Sequence, residues 1–600
     1  LVTTPVLYDA EGYDPFVVNS AIIGRGVKTR EFSMRYPTVS NEPLDTPAFV
    51  TNIKAAAERL NKLTGTPTGD IWKAGVANQK PFLAKLAYRW KPRPISLPKL
   101  ASDENERLKE LCVAGIKERL AKPVFGETID PAKVKEVYMP RLRYELGVLK
   151  DMGFANYFLV VDDLVRWCKA NNILVGPGRG SVGGSLVAYV MGITDVDPIR
   201  FELIFERFIN PSRKDLPDID LDFMSSRRQD VINYLVDKYG VECVTGLSNY
   251  SMLGSASAIK DVGRVYGLDV MKLALSKFVP KVHGQPVDLE TAAKEVAEIS
   301  RFADDNKDVW KNALALQGCL RSYGRHASGI VVAGEPIAGM GVVERRSGEP
   351  TVNWDMRVAE QMGLVKLDIL GLSTLDIIGR TLDYIKQRHP KVPDILAIPL
   401  DDPETLEGFA QGETVGVFQF EGGAARRILK DMSKVENVTF DDIVAANALN
   451  RPGPIDAGLV DKYVDAKNGE ITNELAHPNM KEALDPTYNV IVYQEQVMKV
   501  AVDLCGFTLA DADGLRKAMG KKLPAEMAKY KDKFVDGAQT HSGMHKDLAA
   551  SLFEQIEVFA GYAFNKSHAA EYSLISYQCM WLKVHYTVEF YAGAFSTIKE

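Results

Sequence analysis

Leu216-Pro217-Asp218-Ile219-Asp220-Leu221-Asp222-Phe223 alternates between apolar and acidic side chains. In an extended segment this puts Ile219, Leu221 and Phe223 on one face and Asp218, Asp220 and Asp222 on the other. Three carboxylates on one face repel one another, and Asp is a poor strand former. A hard divalent cation such as Mg²⁺, which takes oxygen ligands and shares its shell with phosphates, would neutralise them. Two such ions ~3.5–4 Å apart can activate an attacking hydroxyl and stabilise a leaving phosphate. A strand edge facing water is the plainer alternative. The apolar opposite face argues for a strand packed on a core.

Three further groups of residues are candidates. The run from Gly176 to Ser185 (Gly-Pro-Gly-Arg-Gly-Ser-Val-Gly-Gly-Ser) follows the short strand-like apolar stretch Ile173-Leu174-Val175 and opens a helical pattern. Such a turn aims bare N–H groups at phosphate, with Arg179, Ser181 and Ser185 as added donors. It lacks the Lys-Ser/Thr of a P-loop. Gly178, Gly180 and Gly183 do satisfy GxGxxG, so a dinucleotide-binding oxidoreductase competes, and so does a purely structural tight turn. Lys366 and Asp368 share one face of a strand-like run, as a surface ion pair or as a third carboxylate for a metal. Residues 515–540 hold seven Lys or Arg against three acids, a local charge of +4. Lys566 and His568 lie among Phe559, Tyr562, Phe564 and Tyr572, a mixture that suits phosphates and stacked bases. A helix face in water is the plainer reading of the basic run alone, and His326 would hydrogen-bond a phosphate or, on the plainer reading, a buried carbonyl.

The elements that must position these groups follow from texture. Helical spacing runs over 104–120 and 137–149, then through 158–167. Residues 255–265, 289–302 and 309–320 are helical, 325–371 β-like, and the remainder mostly helical. With 600 residues and 66.3 kDa, about three to five domains are expected, with an α+β multidomain organisation. A hydrophobic share of 46%, a charged share of 25% and a mean hydropathy of −0.11 exclude disordered, collagen-like and coiled-coil chains. No apolar stretch approaches a membrane span. The net charge of −6 confines any nucleic-acid role to local patches. Six dispersed cysteines without a CxxC pair argue against zinc ribbons and disulfide frameworks. All eight histidines follow residue 280, so the earlier part holds no histidine-based metal site. The chain opens on Leu1 and stops at Glu600 after an aromatic helical run, which reads as a piece of something longer.

In this order, the motifs at 176–185, 193–198, 203–208, 217–223, 261–264, 324–332, 363–372, 417–421, 450–454, 493–498, 516–522 and 559–572 resemble bacterial replicative DNA polymerases of the C family, the alpha subunits of DNA polymerase III. The resemblance covers about residues 100–600. It implies a polymerase-beta-like nucleotidyltransferase palm, a mixed sheet with helices, over 99–251 and 325–373. A helical thumb is inserted over 252–324, and incomplete helical fingers cover 374–600. Residues 1–98 would be the end of a polymerase-and-histidinol-phosphatase-like domain plus a linker. Matched residue to residue, the catalytic and metal-binding aspartates are Asp220, Asp222 and Asp368, holding two Mg²⁺ ions. Asp218 shares their face outside that triad. Arg179, Gly180, Ser181 and Lys366 would contact the incoming triphosphate. Arg451, Arg516, Lys517, Lys521, Lys522, Lys566 and His568 would surround triphosphate and template. Lys517 stands where the family often has Arg, and a lysine cannot fork onto phosphate. Thr4-Pro5-Val6-Leu7-Tyr8 stands where the family has Asn-Asp-x-His-Tyr, so proofreading by this chain is not expected. The implied partners are primer–template DNA and deoxynucleoside triphosphates, with a sliding clamp and other replisome subunits reached through regions beyond this chain. A cytoplasmic location, in a bacterium or the host of a phage, and no membrane follow. A non-catalytic DNA-binding relative would need a broken triad, and all three aspartates are present.

Overall fold

The computed structural model describes residues 93–213, 216–282, 285–346, 348–521 and 524–598. The expectation for 1–98 therefore lies outside the described residues except at 93–98. So does Lys522, and so does the side chain of Lys521. The chain divides into two compact units. One gathers 95–245, 327–340 and 364–600; the other holds 246–326 and 341–363.

In the first unit the alternating acidic segment forms β1 (Asp220–Met224). Along the chain the further strands are β2 (Val244–Met252), β3 (Leu320–Val332), β4 (Val343–Arg346), β5 (Glu349–Val352) and β6 (Val365–Leu372), of which β4 and β5 belong to the second unit. Strand β1 runs parallel to β6, with Asp220 opposite Asp368 and Leu221 opposite Ile369. On its other side β6 is antiparallel to β3, with Gly329 opposite Asp368 and Ile330 opposite Leu367. The period of two then sorts the side chains. Ile219, Leu221, Phe223, Ile330, Val332, Leu367 and Ile369 enter one core with Tyr157, Phe158, Val161 and Val165 of a covering helix. At roughly 25 cal/mol per Å² of apolar surface, this buried face holds the acidic face in place.

The helices that bear on the site are α1 (Met139–Met152), α2 (Ala155–Ala170), α3 (Leu186–Val190), α4 (Arg228–Tyr239), α5 (Ser373–Arg388) and α6 (Lys566–His585). Helix α6 is buried nearly all round, with Ala569, Ala570, Leu574, Ile575, Tyr577, Cys579 and Met580 in the core beside buried Ser573, Ser576 and Gln578. The short apolar run before the glycine turn is not a strand. Val175 makes a single bridge to Phe223, and the Gly176 N–H donates to Asp222 O at 2.8 Å. Three residues followed by Gly-Pro-Gly are too few to continue a ladder.

In the second unit Gly246 and Leu247 of β2 pair in parallel with Thr351 and Val352 of β5, which is antiparallel to β4. Helices Ser255–Val265, Leu289–Glu295, Ala297–Asp305 and Lys307–Leu316 enclose a core of Leu253, Ile259, Val262, Ile299, Val309 and Leu316. The helix expected over 289–302 is broken at Val296, whose extended backbone (φ −122°, ψ 113°) separates two shorter helices. The α+β organisation expected from the sequence is observed: a mixed sheet in a mostly helical chain. Among the described residues no helix is long and apolar enough to cross a membrane.

Candidate active site

The register of β1 and β6 brings two carboxylates together. One oxygen each of Asp218, Asp220 and Asp368 lies within 4.8 Å of the others. Asp218 is exposed and Asp220 half-buried; Asp368 is 9% exposed. Lys366 Nζ stands 2.5 Å from Asp368 Oδ2 and 3.9 Å from Asp218 Oδ1, and Ser328 Oγ donates to Asp368 Oδ1 at 3.2 Å. Burial, the Asp218 charge and a hydrogen bond shared with Asp368 push the Asp220 carboxyl up to about 7. Burial also acts on Asp368, but hydrogen bonds from Lys366 and Asp220 outweigh it and hold that carboxyl below the usual range. The pair behaves as two carboxylates sharing one proton.

Asp222 stands apart from this cluster. Its side chain is 2% exposed, and Arg179 Nη1 approaches its Oδ1 at 3.4 Å. Its Oδ2 has no hydrogen-bond partner among the described residues. Burial raises its carboxyl, and Arg179 opposes that. The structure thus gathers Asp218, Asp220 and Asp368, and places the third residue of the expected triad, Asp222, against Arg179. The donors are all carboxylate oxygens, crowded and under-compensated, with one buried acceptor unpaired beside them. That chemistry fits hard divalent ions such as Mg²⁺.

The glycine turn faces the carboxylates at one position. A Cβ at Gly180 (φ 79°) would meet only Asp220 Oδ2, at 3.5 Å. At Gly178 (φ 133°) and Gly183 it would lie 2.5 and 2.6 Å from Glu571 Oε1. Two of the three glycines therefore make room for a carboxyl group of α6. The turn leads into a 3₁₀ turn, Val182–Gly184, and the five-residue α3. Glu145 of α1 caps that helix, accepting from Ser185 Oγ at 2.9 Å and from Leu186 N and Val187 N at 3.0 Å. With no strand before it and a capped single-turn helix after it, this GxGxxG lacks the strand–turn–helix frame of a dinucleotide site. The oxidoreductase alternative loses its support. Arg179 bonds Tyr572 OH as well as Asp222, its guanidinium 5.6 Å from the Tyr572 ring centre.

Helix α6 grips the turn. Asn565 Nδ2 donates to Gly180 O at 2.7 Å, and His568 Nδ1 accepts the Gly180 N–H at 3.1 Å. Burial and the Arg179 charge press the His568 ring down to about 4, so it is the neutral acceptor this bond requires. The Lys566 N–H donates to Glu495 Oε2 at 2.9 Å, and Lys566 Nζ lies 5.7 Å from the Tyr493 ring centre. Arg451 donates to Ala448 O at 2.9 Å and Tyr562 O at 2.6 Å, with Phe564 4.4 Å beneath its guanidinium. Arg516 is held by Asp513 Oδ1 at 2.7 Å, within the helix Leu509–Lys521 that also carries Lys517.

Sequence reasoning missed Glu145, Glu571 and Arg207. Arg207 donates to Gln494 Oε1 at 3.0 Å, and burial with the nearby Arg516 lowers it to about 10. The available signal was an acid isolated in an apolar helical run, as in Ala569-Ala570-Glu571-Tyr572.

The family model of the bacterial DNA polymerase III alpha NTPase domain matches residues 106–371. That of the alpha-subunit finger domain matches residues 374–542. DNA polymerase III subunit alpha of Yersinia pestis is 41% identical over 574 residues, 87% of this chain and 49% of that protein. The proteins of the same name from Aquifex aeolicus and Escherichia coli K12 are 40% and 41% identical, covering 82% and 80% of this chain and 44% and 42% of their own lengths. The chain belongs to the family of bacterial DNA polymerase III alpha subunits. It spans about half the length of the relatives it matches.

Proposed function

We propose that the chain is a template-directed DNA polymerase core, adding deoxynucleotides to a primer 3′-hydroxyl in DNA replication. The observation that carries this reading is the pairing of Asp220 with Asp368 on adjacent strands beside the Gly180 turn, in a chain of this family. Asp220, Asp222 and Asp368 would hold two Mg²⁺ ions. When bound, such ions lower the pKa of the attacking hydroxyl and compensate charge on the phosphates and the leaving pyrophosphate. Arg179, Gly180 and Ser181 would bind the triphosphate, Arg179 exchanging Asp222 for the incoming anion. Lys366 balances the carboxylates. Arg451, Arg516, Lys517, Lys521, Lys522, Lys566 and His568 would border triphosphate and template. Orientation and fixed charge would supply most of the rate.

In this reading 99–251 and 325–373 form the palm, 252–324 the thumb and 374–600 the fingers. The partners are primer–template DNA, a sliding clamp and other replisome subunits in the bacterial cytoplasm. Asp220→Asn should abolish primer extension while primer–template binding persists. Normal extension by that variant would refute the proposal.

A further inference from the structure

We propose that Glu571, a buried carboxyl group of α6, is a positioning residue: by accepting the Gly183 N–H it sets the shape of the 176–184 turn, and so where Arg179 and Gly180 stand relative to Asp220 and Asp222. The inference rests on the nucleotidyl-transfer reading above and adds a residue to it.

Glu571 is fully buried and is the one acid of α6, whose other buried residues are apolar or neutral polar side chains such as Ala570, Leu574, Ser567 and Gln578. Its Oε1 accepts from Gly183 N at 2.9 Å and from Ser567 Oγ at 3.4 Å. Its Oε2 has no hydrogen-bond partner among the described residues. An unpaired buried oxygen is destabilising. The carboxyl fits the turn closely: Gly178 and Gly183 both leave the space that it fills, at distances no Cβ could share. It also completes a row. Asn565, His568 and Glu571 are spaced three apart on one helix face, and they bind Gly180 O, Gly180 N and Gly183 N in turn. Tyr572, the next residue, meets Arg179. The turn passes through positive φ at Gly178 and Gly180, a backbone path that glycine adopts without strain. Without the Glu571 acceptor the Gly183 N–H is buried and unpaired, and the turn relaxes on the side away from its anchors at Gly180.

The test uses Glu571→Ala and Glu571→Gln in the full chain. Gln keeps an oxygen where Oε1 stands. Glu571→Ala should raise KM for deoxynucleotide about tenfold, lower kcat by less than about threefold and leave primer–template Kd unchanged, because the turn positions substrate. Glu571→Gln should restore KM to within about twofold of wild type. Hydrogen–deuterium exchange of the Gly183 amide should quicken about tenfold in the Ala variant and not in the Gln variant. A lower melting temperature with an unchanged KM overturns the proposal, as does a Gln variant as impaired as the Ala variant. Should the wild-type chain add no nucleotide to a primed template with Mg²⁺, the nucleotidyl-transfer reading fails by itself. Exchange at Gly183 then decides for Glu571: equal protection in wild type and Ala variant overturns its hold on the turn.

Discussion

Asp220→Asn should make the metal-free protein more stable while removing its activity. The Asp220 carboxyl sits at about 7 against an ordinary 3.8. A carboxyl whose folded pKa is raised is no burden below the unfolded value. Its burden grows as pH rises between the two values and is complete above the folded one. Three units at about 1.4 kcal/mol each bound the effect at about 4 kcal/mol. Asp220 is half-buried, and screening by the water that reaches it reduces this to roughly 1–2 kcal/mol. Asn carries the neutral form at every pH, and its amide donates to Asp368 as the protonated carboxyl does. In scanning calorimetry with EDTA at pH 8.5 the variant should melt about 1–2 °C above wild type. The gap should close as pH falls through 7 towards 4. With Mg²⁺ the order should reverse, because an ion at 100 times its Kd adds about 2.7 kcal/mol to a protein that binds it and far less to one lacking a ligand. A variant that melts below wild type at pH 8.5 in EDTA, or that responds equally to Mg²⁺, refutes the reasoning.

Lys366→Met removes the cation between Asp368 and Asp218. It should lower the melting temperature in EDTA by the equivalent of up to about 3–5 kcal/mol, and Mg²⁺ should recover more of that loss than it adds to wild type. Melting unchanged in EDTA would show that Lys366 offsets nothing. The His568 ring, pressed down to about 4, should be neutral by NMR at pH 5.5. The unfolded chain takes up the extra proton between about 6.5 and 4, so this histidine lowers stability as pH falls through that window. A ring that titrates near 6.5 contradicts its bond to Gly180. Gly178→Ala places a Cβ 2.5 Å from Glu571 Oε1 at φ 133° and should unfold far more readily than Gly147→Ala, whose Cβ meets nothing within 4 Å. Equal stability of the two would refute the close packing of Glu571 on the turn.

The alternation of Ile219, Leu221 and Phe223 with three aspartates was enough to put the acids on one strand face, because a period of two leaves no other arrangement once one face is buried. Lys366 and Asp368 were placed on a common face by the same rule, and α+β organisation followed from where helical and extended textures change. The apolar run at 173–175 was misread as a strand because three residues carry no information about a partner. That Asp220 faces Asp368, while Asp222 turns to Arg179, depends on a parallel register between segments far apart in the chain. Local sequence carries no record of that register. The glycines show the same division. Their positions and spacing were legible, but Gly178 and Gly183 answer to Glu571, which lies hundreds of residues later. Only tertiary packing brings a helix and a turn so distant in sequence within hydrogen-bonding reach. Short-range pattern thus determined what each segment presents, and the long-range contacts of the folded chain decided which groups meet.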